Sequence, residues 1–365
     1  MKIPYRDLSV KDLRRKRELL AAVEKVLSHG RMILGPEIGR FEQLVADSCS
    51  KQYAVGVSSG TDALYLALRS LGVGPGDEVI TTPLSWIATT NAIVQCGAEA
   101  VFVDIGEDLN IDADLISEAV TPRTRAILPV HFTGRLCAMD TILHIAGERN
   151  LLVIEDAAQA FGARRGEKQA GSFGHAGCFS MNPMKIWCAC GEAGAVVTDD
   201  RDVYEKLCTL RYAGTVNKED CYYPSLNGRI DTVQAAMLLV DFNYLPEKIA
   251  RRQEIARVYT EGLHDVVGCP WEDGSYHCYY SYTVLAENRK KLVEHLSEKG
   301  IETKVQHPIL MPYHTAYKGR TYPPLPVAER LVNRILCLPN QEDLSTEEID
   351  YVIASVREFY EGQAP

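Results

Sequence analysis

The chain contains the stretch Leu151-Leu-Val-Ile-Glu-Asp-Ala-Ala-Gln159, and its fold is best inferred from there. Four consecutive apolar residues before an acidic pair predict a buried parallel strand that delivers Asp156 to its carboxyl end. Ligands of open α/β sheets bind at that edge of the sheet. We therefore expect Asp156 to lie at a functional edge.

The segments around this strand repeat the pattern of a short apolar strand followed by a helix. The predicted strands are 53–57, 78–80, 100–103, 126–130, 151–154 and 195–197, and the predicted helices between them are 63–71, 86–95, 113–119 and 139–149. Such alternation predicts an α/β fold with a mostly parallel sheet and helices on both of its faces.

The pattern changes after residue 210. The tyrosine-rich segment 212–227 lacks periodicity and is long for a connection, which predicts a functional loop or a subunit contact. Further predicted elements are helices 232–244 and 247–264, strand 279–285, helix 289–299, strand 301–305 and helix 347–359. We therefore expect a large domain over residues 1–245 and a smaller α+β domain over residues 246–365.

Composition excludes several classes of protein. The 365 residues include 39 basic and 49 acidic side chains, and the net charge of -10 argues against a nucleic-acid partner. The N-terminus lacks the apolar core of a signal peptide, and no stretch approaches the roughly 20 apolar residues of a membrane span, so we expect a cytoplasmic protein. The 11 cysteines then predict reduced thiols. Cys188 and Cys190 lack a second close pair, so no metal site is expected.

Lys185 is the most informative residue for chemistry. It lies in Asn182-Pro-Met-Lys185, downstream of the strand that ends at Asp156. Pyridoxal phosphate requires an amine that holds its aldehyde as a Schiff base and a carboxylate that keeps its ring nitrogen protonated. Lys185 and Asp156 could supply these two groups, although most lysines are solvated and many strand-end aspartates cap a turn.

A phosphate seat is predicted at Ser58-Ser-Gly-Thr-Asp62, which leads from a strand into a helix. Free backbone N–H groups, a glycine that allows close approach and nearby hydroxyls suit an anion. Ser180 could add another hydroxyl, and Trp86 at the same sheet edge could stack on a planar cofactor. Taken singly, each could instead serve a capping or packing role.

Considered together, these motifs make the chain resemble the DegT/DnrJ/EryC1/StrS family of sugar aminotransferases, a branch of the fold-type I pyridoxal phosphate enzymes. The resemblance covers nearly the whole chain, and its motifs are 33–41, 59–64, 74–80, 129–131, 154–159, 185–194, 227–231 and 234–236. It implies a seven-stranded type of sheet in the large domain, a smaller C-terminal domain and a homodimer with composite active sites.

The resemblance also implies residue roles. Lys185 would be the Schiff-base lysine, Asp156 the partner of the ring nitrogen, and Gln159 a contact to the phenolic oxygen. The remaining cofactor contacts would be Trp86 on the ring, Ser59, Gly60, Thr61, Asp62 and Ser180 near the phosphate, and Asn227 from a second subunit. The candidates for substrate contact are His131, Arg229, His307 and Tyr313.

The reaction implied by the resemblance moves an amino group from an amino acid such as glutamate to a keto sugar carrying a nucleotide. The spacing from Pro308 to Tyr317 resembles that of relatives that aminate C3, and this resemblance favours C3. Gln306-His307-Pro308 departs from the His-Tyr-Pro of many relatives and leaves the acceptor open. A free keto sugar or a cyclitol is an alternative acceptor.

Three other functions remain as alternatives. Related sugar dehydratases carry histidine at the position of Lys185, so the lysine favours amino transfer. A pyridoxal phosphate-binding regulator is a non-enzymatic alternative, because a fold alone does not establish a function. A nicotinamide oxidoreductase is disfavoured because no Gly-x-Gly-x-x-Gly follows a predicted strand.

Overall fold

The computed structural model describes residues 1–270 and 274–362. Its centre is a seven-stranded sheet whose strands are β1 (Tyr53–Val57), β2 (Glu78–Thr81), β3 (Glu99–Phe102), β4 (Thr124–Leu128), β5 (Leu152–Asp156), β6 (Ala176–Ser180) and β7 (Gly194–Thr198). They lie in the order β1-β7-β6-β5-β4-β2-β3. Strand β7 runs antiparallel to β1 and β6, and the other neighbours are parallel. The prediction of a mostly parallel α/β sheet is confirmed.

Helices cover this sheet and build the remainder of the chain. Their bounds are α1 (Leu13–His29), α2 (Pro36–Ser48), α3 (Gly60–Ser70), α4 (Ala88–Gln95), α5 (Ile116–Ala119), α6 (Met139–Arg149), α7 (Arg201–Leu210), α8 (Thr232–Asp241), α9 (Leu245–Leu263), α10 (Arg289–Glu298), α11 (Pro326–Leu331) and α12 (Thr346–Glu361).

Alternation along the strands explains why helices pack on both faces. On β4, Leu128 belongs to an apolar cluster that includes Leu68 of α3. Its neighbour Ile127 points to the other face and joins a cluster that includes Ile142 of α6. Because successive side chains of a strand point in opposite directions, an unbroken apolar run is buried on both sides.

The C-terminal part has its own core. Strands β8 (Tyr282–Leu285) and β9 (Ile335–Leu338) pair antiparallel. They share an apolar cluster with Tyr259 of α9, Leu292 of α10 and Val352 of α12. The division of the chain at residue 245 stays a prediction, and the second part of it includes residues 271–273 and 363–365, which lie outside the described ranges.

Some predicted boundaries were wrong for identifiable reasons. The strand predicted at 279–285 begins only at Tyr282, since Tyr279 has a φ of 49° and is not extended. The strand predicted at 301–305 is absent from the described residues, because Ile301 and Lys304 form only isolated bridges, to Ile3 and Cys337.

Three predicted helices also differ in extent. The helix predicted at 86–95 begins at Ala88, so Trp86 precedes it. The one predicted at 113–119 divides into a 3-10 turn, Ala113–Leu115, and the short α5. The one predicted at 232–244 ends as α8 at Asp241 and continues as the 3-10 turn Phe242–Tyr244. Within the described ranges, helices that are long and apolar enough to cross a bilayer are lacking.

Candidate active site

A cavity of about 580 Å³ lies at the carboxyl ends of β5 and β6. Most of the cofactor-site residues predicted from the sequence line it together, namely Ser59, Gly60, Thr61, Trp86, Asp156, Gln159, Ser180 and Lys185. The edge of the sheet therefore gathers the predicted amine, carboxylate, hydroxyls and aromatic ring in one space.

Asp156 is the buried acid of this cavity, with 3% of its surface exposed. Its Oδ2 accepts a hydrogen bond of 2.8 Å from Thr89 Oγ1, and its Oδ1 accepts one of 3.2 Å from the Ala158 N–H. Burial raises the pKa of Asp156, while these two hydrogen bonds and the charge of Lys185 act in the opposite direction. A cation placed against this carboxylate would stabilise its ionised form.

Glu155, the residue before Asp156, faces away from the cavity. Its fully buried carboxylate accepts hydrogen bonds of 2.7 Å from the N–H groups of Gly171, Phe173 and Gly174. It also accepts one of 2.9 Å from His131 Nε2. Glu155 therefore organises a loop behind the sheet.

His131 does not line the cavity, contrary to its predicted contact with substrate. Its ring is fully buried, Nε2 donates to Glu155, and Nδ1 accepts from the Cys137 N–H at 3.2 Å. Both ring nitrogens are thus committed to internal partners.

The start of α3 forms a close contact with the end of β6. A Cβ atom at Gly60 would lie 2.5 Å from Ser180 Cβ, so only glycine allows this approach. Ser59 caps the helix, since its Oγ accepts from the Asp62 N–H at 3.1 Å. The first-turn N–H groups and the Ser180 hydroxyl together suit an anion. The Asp62 carboxylate instead bonds Ser58 Oγ and does not line the cavity.

Lys185 lies in the segment between β6 and β7. Its Nζ is 4.6 Å from the centroid of the Tyr280 ring, which also lines the cavity. Its backbone N–H donates to the Asn182 carbonyl at 2.8 Å, and the Met184 N–H donates to Asn182 Oδ1 at 3.0 Å. These bonds fix the turn that presents the lysine.

Trp86 forms the exposed wall of the cavity. Its side chain is 63% exposed, and its ring centroid is 5.9 Å from that of His307. An apolar ring of this size is rarely left so accessible without a partner. Its position suits stacking on a planar ligand.

One wall of the cavity contains three residues that sequence reasoning did not single out, namely Tyr5, Tyr280 and Lys304. Tyr5 arrives from the N-terminus because Ile3 pairs with Ile301. These residues belong to no local motif, and only the folded arrangement brings them to the cavity. His307 was predicted and does line it, whereas Tyr313 lies outside and donates to Glu329 Oε1 at 2.5 Å.

Asn227 and Arg229 also lie outside the cavity of their own chain. Asn227 is exposed, and its Oδ1 accepts from Arg229 Nε at 2.7 Å. The Arg229 guanidinium lies 4.3 Å from the centroid of the Tyr212 ring. A single chain therefore does not bring either residue to Lys185.

Known proteins resemble this chain over almost its full length. Residues 14–357 match the sequence model of the DegT/DnrJ/EryC1/StrS aminotransferase family. A pleiotropic regulatory protein of Geobacillus stearothermophilus is 37% identical, covering 99% of both chains. A dTDP-3-amino-3,4,6-trideoxy-alpha-D-glucose transaminase of Streptomyces venezuelae is 38% identical, covering 99% of this chain and 97% of the relative. The crystal structure of S. venezuelae DesV with a ketimine intermediate has a TM-score of 0.95 at 38% identity and covers 99% of each chain.

Proposed function

The chain belongs to the DegT/DnrJ/EryC1/StrS aminotransferase family, and on that premise we propose the reaction that its cavity carries out. The protein is a pyridoxal phosphate-dependent sugar aminotransferase. Its proposed reaction moves an amino group from an amino acid, with glutamate as the expected donor, to C3 of a nucleotide-activated keto sugar. The observation that carries the proposal is an accessible amine, Lys185, in one cavity with a buried carboxylate, Asp156.

Three features of the cavity fit the cofactor. The close approach of Gly60 to Ser180 brings the free N–H groups at the start of α3 near the Ser180 hydroxyl, and such donors suit a phosphate group. Asp156 is a buried carboxylate whose raised pKa calls for a cationic partner, which a protonated ring nitrogen would provide. The exposed indole of Trp86 offers a flat apolar surface.

The proposed contacts to the cofactor follow from these positions. When bound, pyridoxal phosphate supplies an aldehyde that condenses with amines and a protonated ring that accepts electrons. Lys185 would hold the aldehyde, Asp156 the ring nitrogen and Gln159 the phenolic oxygen. The phosphate would lie against Ser59, Gly60, Thr61 and Ser180, with Trp86 on the ring.

Lys185 has a second proposed role as general acid and base. Its amine extends from a hydrogen-bonded turn and contacts the Tyr280 ring, so rotation of the side chain alone would carry a proton to and from a bound ligand. A positioned amine of this kind contributes about 10²–10⁴-fold to a proton transfer. Asp156 would support the transfer by stabilising the positive charge on the nitrogen of the bound ring.

A homodimer with composite sites accounts for the exposed residues near the cavity. Asn227 is exposed and Arg229 is half-buried, and the apolar residues Met32, Ile33 and Leu34 are 41%, 53% and 44% exposed. Ile33 forms a bridge with Asp231, which places this apolar patch next to Asn227 and Arg229. We propose that a second copy covers the patch and receives Asn227 and Arg229 into its own cavity.

The names of the relatives and the residues of the site both bear on the choice of acceptor and on the alternative functions. Relatives named as transaminases of dTDP-3-amino and UDP-3-oxo sugars support a nucleotide-activated acceptor and position C3. The name of the Geobacillus relative points to a regulatory role. The intact pair of Lys185 and Asp156 favours catalysis, and lysine rather than histidine at position 185 favours transfer over dehydration.

Absorbance of the purified holoenzyme tests this proposal. We expect a band near the visible edge that borohydride removes, and we expect Lys185→Arg to lack that band and to lose about 10²–10⁴-fold or more in turnover. Arginine keeps the positive charge but cannot form the Schiff base, so it isolates the role of the amine. A Lys185→Arg protein that retained the borohydride-sensitive band would contradict the assignment.

The acceptor is tested in a single turnover. The protein is loaded with the amine form of the cofactor and mixed with keto sugars, and return of the original band is recorded. We expect nucleotide-activated 3-keto sugars to restore it faster than the matching free sugars or cyclitols. If a free keto sugar restored the band faster, the proposal that the acceptor carries a nucleotide would be wrong.

A further inference from the structure

Gln306 occupies a junction between the cofactor side and the C-terminal wall of the cavity. Its side chain is 6% exposed. The Cys337 thiol donates to its Oε1 at 3.3 Å, which identifies the oxygen end of the carboxamide. The Nε2 end lies 3.4 Å from Gln159 Oε1 and 3.3 Å from His307 Nε2. An amide nitrogen can only donate, so both neighbours must accept.

The first consequence concerns the orientation of Gln159. Its Oε1 accepts hydrogen bonds from the Thr133 N–H at 3.0 Å and from Gln306 Nε2. With the oxygen engaged by two donors, its NH₂ group is the end left to donate. A donor is what an oxygen substituent of a bound ring requires.

The second consequence concerns the proton of His307. Because Nε2 accepts from Gln306, the neutral ring carries its hydrogen on Nδ1. Burial, followed by the charges of Lys185, Lys304 and His314, lowers the pKa of His307 to about 3. The ring is flanked by Trp86 and Phe132, with centroids at 5.9 and 5.7 Å, and the residue has a φ of 51°. His307 is thus a neutral, fixed donor in the cavity wall.

We propose that Gln306 is a positioning residue that holds His307 in its Nδ1–H tautomer, so that His307 donates a hydrogen bond to an uncharged oxygen of the acceptor sugar. This inference rests on the proposed function, since it names the part of the acceptor that meets this wall. A neutral donor favours a hydroxyl or keto oxygen and offers no charge to a carboxylate. It also gives the atypical Gln306-His307 pair a role in acceptor choice.

The tautomer is tested without turnover, by nitrogen NMR of the cofactor-free full chain carrying ¹⁵N-labelled histidine. A His307→Asn protein assigns the signals of His307. We expect the wild-type ring to be neutral and protonated at Nδ1 between pH 6 and 8, and Gln306→Met to shift the hydrogen toward Nε2. A wild-type ring protonated at Nε2, or cationic at pH 6, would overturn the proposal, and that spectrum requires no variant at Gln306.

Kinetics of the acceptor half-reaction test whether Gln306 acts through His307. We expect Gln306→Met and His307→Phe each to raise the acceptor KM about two- to tenfold, the effect of one hydrogen bond. The double variant should show no further increase, because the two residues would form one unit. Gln169→Met, in the hairpin of Arg164–Arg165 and Lys168–Gln169 away from the cavity, is the matched control and should behave as wild type.

Two kinetic outcomes would refute this role. If the increases in acceptor KM multiply in the double variant, the two residues act separately. If Gln306→Met leaves the acceptor KM unchanged, Gln306 does not position a group that binds the acceptor. If no keto sugar is aminated at all, the proposed function fails, whereas the NMR experiment still reports the tautomer.

Discussion

Two consecutive carboxylates at the end of β5 serve different purposes because adjacent side chains of a strand point to opposite faces. Glu155 accepts three backbone hydrogen bonds from residues 171–174 and one from His131. Asp156 faces the cavity and has fewer partners. The sequence identified Asp156 from its place after an apolar run, but it did not reveal the role of Glu155, whose partners come from a loop without a motif.

Asp156→Asn should abolish transamination while it stabilises the folded protein near neutral pH. The pKa of Asp156 is raised by burial above the ordinary 3.8, so the folded protein keeps this proton to higher pH than the unfolded chain does. Ionisation of Asp156 therefore lowers the free energy of unfolding as pH rises from about 4 through the raised pKa, and this loss of stability remains at higher pH.

Asparagine lacks that ionisation, so we expect the cofactor-free variant to gain stability relative to wild type as pH rises toward 7, while transamination is lost. Urea unfolding of both proteins across this pH range measures the difference. A constant difference between pH 4 and 7 would contradict the predicted ionisation.

At the scale of elements, the proposed phosphate site lies where α3 closely approaches β6. Gly60→Ala should disturb this contact, although alanine is intrinsically the better helix residue by about 1 kcal/mol. The new Cβ would lie 2.5 Å from Ser180 Cβ, so α3 must move away from β6. We expect cofactor affinity to fall about tenfold or more, from an overpacking cost of roughly 1–3 kcal/mol, as measured by absorbance titration.

Gly39→Ala is the matched control for that experiment. Gly39 lies within α2, and a Cβ atom added there would have nothing within 4 Å, so alanine should stabilise the protein by about 0.5–1 kcal/mol without changing cofactor affinity. Equal affinities for the Gly60→Ala and Gly39→Ala proteins would show that the contact with Ser180 is not needed.

Elements with strong local signals were predicted well, and those that depend on distant partners were not. Strand Tyr53–Val57 and helix Met139–Arg149 match their predicted bounds. Residues 301–305 carry strand-like residues, yet Ile301 meets the N-terminal Ile3 and Lys304 meets Cys337. The same long-range pairing carries Tyr5 to the cavity. Local periodicity cannot encode such contacts, which is why Tyr5 and Lys304 in this wall of the site were missed.

At the scale of the whole molecule, the proposed dimer divides each site between two chains. We expect Lys185→Arg and Asn227→Asp proteins to be strongly impaired when each is prepared alone, the second because a carboxylate would face the phosphate. A hybrid dimer with one subunit of each kind should contain one intact site and recover about half of the wild-type activity.

Co-expression with two different affinity tags isolates the hybrid for assay. Recovery requires that Asn227 act across the interface, because the subunit with an intact lysine then receives an intact asparagine from its neighbour. An inactive hybrid would place Asn227 in the site of its own chain, and an Asn227→Asp homodimer with wild-type activity would place it outside the site.

The single reversed strand of the large sheet has a mechanical consequence. Because β7 runs back beside β6, the segment that connects them starts and ends at the same sheet edge. The Met181 N–H donates to the Ala193 carbonyl at 2.8 Å and joins the two ends of this segment. Trp187, in the middle of this segment, is anchored in the core, because its indole N–H donates to the Leu238 carbonyl at 3.0 Å. Lys185 therefore extends from a backbone segment that is fixed at both ends and in the middle. In the proposed reaction its side chain alone would move when it releases and rebinds the cofactor.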